Sequence, residues 1–171
     1  ARQRPDRQVV FLGVGFETTA PGTAACIQEA CSRRVPNFSV LSLLKQTEPA
    51  LRALIAAPDF GVDAFLCPGH VAAITGAQAF RFLPDAFGLP AVVSGFEAGD
   101  LVFSILELMR MLAYKKPDLV NEYRRLVKPE GNPAARRMIR QVFAPCASQW
   151  RGLGEIPEGG LAIRGEYAHL D

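Results

Sequence analysis

Three short stretches carry side chains able to do chemistry: GFETTAP at residues 15–21, CPGHV at 67–71 and SGFEAGD at 94–100. Glu17, Glu97 and Asp100 supply carboxylates, Thr18 and Thr19 supply hydroxyl donors, and His70 supplies an imidazole. An imidazole with an ordinary pKa near ~6.5 is suited to moving protons at neutral pH. Each group also has a plain architectural alternative. A carboxylate in the first turn of a helix is stabilised by the helix dipole at ~0.3–1 kcal/mol. On that alternative Asp100 is a simple N-cap, and Thr18 and Thr19 cap the helix that follows them. His70 is equally well a hydrogen-bonded structural histidine. Cys67 stands directly before Pro-Gly-His, where a helix N-terminus and an imidazole could activate a thiolate nucleophile. A free cysteine is also a small buried hydrophobe, and no orienting acid is identifiable from the sequence.

A second set follows downstream. Residues 121–140, NEYRRLVKPEGNPAARRMIR, are dense in Arg and Lys and read as an anion clamp, a docking face or a solvated helix face. Asn121, Tyr123 and the Gly131-Asn132 pair are not needed by a solvated helix. Trp150, the only tryptophan, stands beside an arginine in SQWRGLG and is a candidate packing anchor at a lobe interface. Residues 13–17, GVGFE, lack the third glycine of a dinucleotide fingerprint, and no GxxxxGK[ST] occurs. The four cysteines form no CxxC pair, so their spacing fits neither a zinc knuckle nor an iron–sulfur ligand set. No metal ligand is assigned in this chain.

These motifs need elements to hold them. Residues 9–14, 38–44, 62–67 and 89–95 are apolar, β-rich runs, and helical patterns cover 23–34, 47–55, the stretch after 69, and 101–116. Uninterrupted apolar strands separated by crossover helices predict an α/β fold: a parallel sheet with helices on both faces. In an open parallel sheet ligands bind beyond the carboxyl ends of the strands. Glu17, Thr18, Thr19, His70, Glu97 and Asp100 are therefore expected along one edge. Within each GFE, the phenylalanine is expected to anchor the turn in the core while the glutamate points to a cleft or caps a helix. Residues 8–116 are expected to form the α/β lobe. Residues 117–127 and 134–143 read as helices, and the remainder, with 161–164 the clearest strand, reads as short strands.

The chain has 171 residues, of which 49% are hydrophobic and 21% charged, with a net charge of +2. That is an ordinary globular composition. It gives no nucleic-acid-binding field, no apolar run of ~20 residues to span a bilayer, and no signal-peptide core. Reduced thiols in a cytoplasmic setting are expected. A start at Ala1 and an end at GEYAHLD suggest a piece of a longer protein.

Taken together and in order, GFETTAP, PGHV, the second GFE with its downstream Asp, N-x-Y-R-x-V-x-x-x-GN and WRG-x-G-x-IP resemble the HypD family of hydrogenase maturation factors. The resemblance implies two α/β lobes facing a cleft. It implies a scaffold, working with HypC, on which an iron receives two cyanides and one carbon monoxide, the cyanide coming from HypE after loading by HypF. It further implies an iron-binding cysteine in a Cys-rich N-terminal segment and a four-iron, four-sulfur cluster in a C-terminal region. This sequence has neither the Cys-rich motif nor the cluster ligands, so no cofactor is expected in it, and residues 117–171 would return toward a missing first lobe. By the same resemblance Glu17, Thr18, Thr19, His70, Glu97 and Asp100 line the cleft. Asn121, Tyr123, Arg124, Gly131 and Asn132 would shape that cleft or dock a partner, and the chain alone would be a folded lobe without activity. The rival reading is a small-molecule-binding or thiol-dependent hydrolytic α/β domain using Cys67 and His70.

Overall fold

The computed structural model describes all residues, 1–171, and resolves an α/β chain in two compact units. The first comprises residues 1–57 and 134–171; the second comprises 58–133.

In the first unit, strand β1 (Val9–Gly15) leads into helix α1 (Ala20–Ser32), then strand β2 (Phe38–Leu44) and helix α2 (Thr47–Ile55). The two strands pair in parallel from Val9↔Phe38 to Gly15↔Leu44. Parallel pairing requires a crossover, and α1 provides it with Pro21 in its first turn, where a missing N–H costs nothing. After the second unit the chain returns through helix α6 (Pro133–Val142) to an antiparallel hairpin, β6 (Phe143–Trp150) and β7 (Gly154–Ile163), and a final 3₁₀ turn, Gly165–Leu170. The apolar face of α1 (Ala20, Ala24, Ile27) packs with Val40 and Leu44 of β2, Val142 and Phe143, Leu161 and Ile163, and Leu170. The hairpin register breaks after Cys146↔Gly160 and resumes at Ser148↔Ile156. Pro157, Glu158 and Gly159 therefore bulge from the ladder and leave carbonyls for other partners.

The second unit is a three-stranded parallel sheet in the order β3 (Phe65–Pro68), β4 (Ala91–Ser94), β5 (Leu119–Asn121). Between β3 and β4 run α3 (Gly69–Thr75), a 3₁₀ turn (Ala77–Phe80) and α4 (Phe82–Phe87); α5 (Ala98–Tyr114) joins β4 to β5. All four residues of β4 are buried, as befits a central parallel strand.

The α/β expectation of parallel strands flanked by helices holds, with the strands in two sheets, one in each unit. One sequence expectation is corrected here. Residues 117–127 are not a helix: Leu119, Val120 and Asn121 pair with Ala91, Val92 and Val93. The Asn121 side-chain oxygen then accepts the Tyr123 N–H at 3.1 Å, and its amide donates to the Val127 carbonyl at 2.9 Å. An Asn that bonds its own backbone two residues on makes a turn in place of a helix. No helix is long and apolar enough to cross a membrane.

Candidate functional site

The candidate residues fall into two sets, one at the strand ends of each unit.

In the first unit the backbone turns directly after β1. Phe16 O accepts from the N–H groups of Thr19 and Ala20 at 3.0 and 3.1 Å and from the Thr19 hydroxyl at 3.0 Å. Thr19 stands at the N-cap position of α1, but its side chain caps no helix N–H, so the capping alternative is not met: the hydroxyl turns back to the Phe16 carbonyl. Glu17 is only 9% exposed. Its Oε1 accepts the Thr47 backbone N–H at 2.7 Å and its Oε2 accepts the Thr47 hydroxyl at 2.8 Å. Thr47 is the first residue of α2, and Gln46 before it makes no side-chain cap. Glu17 thus caps α2 from a distant turn, placing a carboxylate at the positive end of that helix. The Thr18 side chain is half-buried and makes no protein hydrogen bond.

Phe16 does not enter the core. It is 42% exposed and meets Trp150 edge-on, ring centroids 5.9 Å apart. Trp150 Nε1 donates to the Gly159 carbonyl at 3.1 Å, and Gln46 Nε2 donates to the Glu158 carbonyl at 2.7 Å. The bulge in β7 is thus what pins the tryptophan and the end of β2. Trp150 is half-buried and stands beside the GFE turn.

In the second unit the two strand-end turns converge on one ring. A Cβ on Gly69 would collide with the Ser94 carbonyl and the Tyr123 ring, and one on Gly95 would lie 2.7 Å from Tyr123 Cδ2. The glycines of PGH and SGFE are there so that Tyr123 can lie against both turns. Arg125 covers the same ring at 4.5 Å, a cation–π contact, and forks onto Asp100 through two bonds of 2.7 Å. It also approaches Glu97 at 3.4 Å. Arg124 donates to the Asn121 carbonyl at 3.0 Å and so braces the turn.

Asp100 is not the N-cap of α5. Glu97 is, and the two form a reciprocal capping box in which Asp100 accepts the Glu97 N–H at 3.3 Å. The Arg125 guanidinium holds the Asp100 carboxyl below its ordinary range, reinforced by the Glu97 N–H, and Asp100 raises the arginine in turn. Phe96, like Phe16, is outside the core: it is 60% exposed and faces the His70 ring at 5.2 Å. His70 is exposed and neither ring nitrogen has a protein partner.

Gly131 and Asn132 belong to a backbone crossing. Gly76 (φ +98°) and Gly131 (φ +74°) approach so closely that a Cβ on either would strike the other's backbone, and Asn132 N–H donates to the Ile74 carbonyl at 3.1 Å. This pair shapes the loops by contact between main chains.

Cys67 is 2% exposed, and burial pushes its thiol up to about 12. That is the reverse of an activated nucleophile, and it removes the basis of a thiol–imidazole hydrolase. No group of three or more His, Cys, Asp or Glu side chains comes together to hold a metal ion. The cysteines, exposed (Cys26), intermediate (Cys31, Cys146) and buried (Cys67), do not fit an iron–sulfur cluster. Arg125 and Lys45 were missed at the sequence level. Arg125 sits in an Arg-Arg pair whose members only the turn distinguishes, whereas Lys45 follows an apolar strand directly, as Glu17 and Glu97 nearly do.

The comparisons agree with the motif order. The HypD family model, described as the hydrogenase formation hypA family, matches residues 1–171. The hydrogenase maturation factor HypD of Escherichia coli K12 is 41% identical across the whole chain, which covers 46% of that relative. The factors of Cupriavidus necator H16 and Rhodobacter capsulatus are 39% and 40% identical, again over the whole chain, covering 47% and 46% of their lengths. The chain thus spans about half the length of these relatives, and it belongs to the HypD family of hydrogenase maturation factors.

Proposed function

We propose that this chain is the central part of a scaffold on which the iron–dicyano–carbonyl centre of a nickel–iron hydrogenase is assembled with HypC, HypE supplying the cyanide. The observation that carries the reading is the match of the whole chain to the HypD family. It is supported by the strand-end turns, which leave two hydrogen-bond donors without protein partners, the Thr18 hydroxyl and the His70 imidazole. Cyanide bound to iron accepts hydrogen bonds at nitrogen, so unengaged donors suit that cargo and a second carboxylate does not. Glu17, Asp100, Tyr123 and Arg125 position the turns. Ligands for the iron and for an iron–sulfur cluster are assigned to the rest of the whole protein, since the cysteines here do not fit them.

The test is to place Thr18→Val and His70→Ala in the full-length protein and follow both hydrogenase activity and the infrared cyanide stretches of the assembling iron. Reduced activity with shifted or lost cyanide bands is expected from each. Wild-type activity and bands in both variants would sink the assignment.

A further inference from the structure

The Tyr123 ring is held on three sides. One edge lies against Gly69, where an added Cβ would come within 2.5 Å of Cδ1 and 3.1 Å of Cε1. The opposite edge lies against Gly95, where an added Cβ would come within 2.7 Å of Cδ2. The Arg125 guanidinium covers a face at 4.5 Å and is itself tied to Asp100 by two bonds of 2.7 Å. A phenylalanine would make every one of these contacts. The hydroxyl is therefore surplus to the packing, and it has no hydrogen-bond partner in the chain although the residue is half-buried. A phenol so placed ordinarily finds one. Covalent geometry says where it is: Oη is two bonds beyond Cε1, the atom beside Gly69, and Gly69 directly precedes His70. The His70 imidazole has no protein partner either. The second unit thus brings two donors that the fold does not use to one strand-end turn, one from the end of β3 and one from the turn after β5.

We propose that the Tyr123 hydroxyl is a ligand-contacting group that donates a hydrogen bond to the same cargo as His70. The nitrogen of a metal-bound cyanide is an acceptor with no proton of its own, so only donors can hold it. A phenol fixed by two glycines and an arginine meets it without first being ordered, the condition under which a donor is most effective. The inference rests on the reading of the cargo given above and extends it from one donor in the second unit to a pair.

The test uses the full-length protein carrying its cargo, followed by infrared spectroscopy. Tyr123→Phe keeps the ring and its contacts and removes the hydroxyl alone. It should melt like the wild type, shift at least one cyanide stretch, and slow hydrogenase maturation about two- to tenfold, the effect of one ordinary hydrogen bond. Replacing Tyr123 alone by 3-fluorotyrosine gives a more acidic phenol on the same ring, a stronger donor, so the same band should move in the opposite direction. An architectural tyrosine would move the band in neither case. If the phenylalanine variant melts early, the fluorotyrosine band decides by itself. His70→Ala measured alongside separates two failures. Wild-type bands in both Tyr123 variants with altered bands in His70→Ala overturn this inference and leave the reading of the cargo standing. Wild-type bands in all three overturn both.

Discussion

Replacing Glu17 by alanine should unfasten the start of α2. Two hydrogen bonds of 2.7 and 2.8 Å to a charged acceptor disappear, and the Thr47 N–H is left beneath a side chain that was 9% exposed. Bonds to charged groups contribute ~1.5–3 kcal/mol, and loss of a helix cap costs ~0.5–2 kcal/mol. These terms overlap, so about 3 kcal/mol is the working figure. For a chain of this size each kcal/mol moves Tm by ~2–4 °C, so Glu17→Ala should melt about 6–12 °C early. Glu17→Gln keeps one acceptor oxygen for the Thr47 N–H, and the hydroxyl can turn to accept from the new amide. Only the charge at the helix end is lost, which costs about 1 kcal/mol or 2–4 °C. Thermal melts by circular dichroism give the ranking, and amide exchange at Thr47 localises it, fastest in the alanine variant. In the full-length protein Glu17→Gln should still support hydrogenase maturation. A Glu17→Ala chain with wild-type Tm and a protected Thr47 amide would refute the capping argument. Maturation lost in the glutamine variant at near-normal stability would show that the carboxylate's charge or proton is used directly.

Two further outcomes follow from the titrating groups. Buried and with its thiol pushed up to about 12, Cys67 stays protonated at pH 7. Iodoacetamide followed by mass spectrometry should therefore modify exposed Cys26 first and leave Cys67 until the chain unfolds; rapid labelling of Cys67 in the folded chain would contradict its burial. Asp100 has a folded pKa below its ordinary 3.8, held down first by the Arg125 fork. A depressed carboxyl contributes stability that is fully present above 3.8 and is lost as pH falls through the lower folded value. Asp100→Asn should thus flatten the acid limb of a stability–pH curve below about pH 4 and leave the slope near neutrality alone. An unchanged acid limb would mean that the fork does not persist in solution.

The fold was legible wherever local pattern and tertiary role coincide. Residues 38–44 and 47–55 begin and end as read, because a β-rich apolar run followed by Thr-Glu-Pro is a local signal that packing only confirms. Residues 117–127 failed because Asn121 bonds its own backbone, and because a three-residue strand beside buried β4 has too little length to show a period. The site was legible by type and by strand-end placement, but its connections were not. That Glu17 reaches Thr47, thirty residues on, is set by parallel pairing that brings Gly15 level with Leu44. That Tyr123 explains two glycines more than twenty residues upstream is visible only once β5 lies beside β4.

The repeated Gly-Phe-Glu illustrates why a motif fixes a turn before it fixes a role. Both copies leave a parallel strand and enter a helix, and both put the phenylalanine outside the core. Their glutamates then part. Glu97 is 81% exposed at its side chain and caps the helix it opens, whereas Glu17 is nearly buried and caps a helix that starts one strand later. The phenylalanines part as well, one against the Trp150–Lys45 cluster and one against His70. What the copies share is a backbone turn with an aromatic side chain displayed beside a polar group at the strand's carboxyl end. The chemistry at each turn must then come from the display partner: a half-buried lysine in one unit and an unpartnered imidazole in the other.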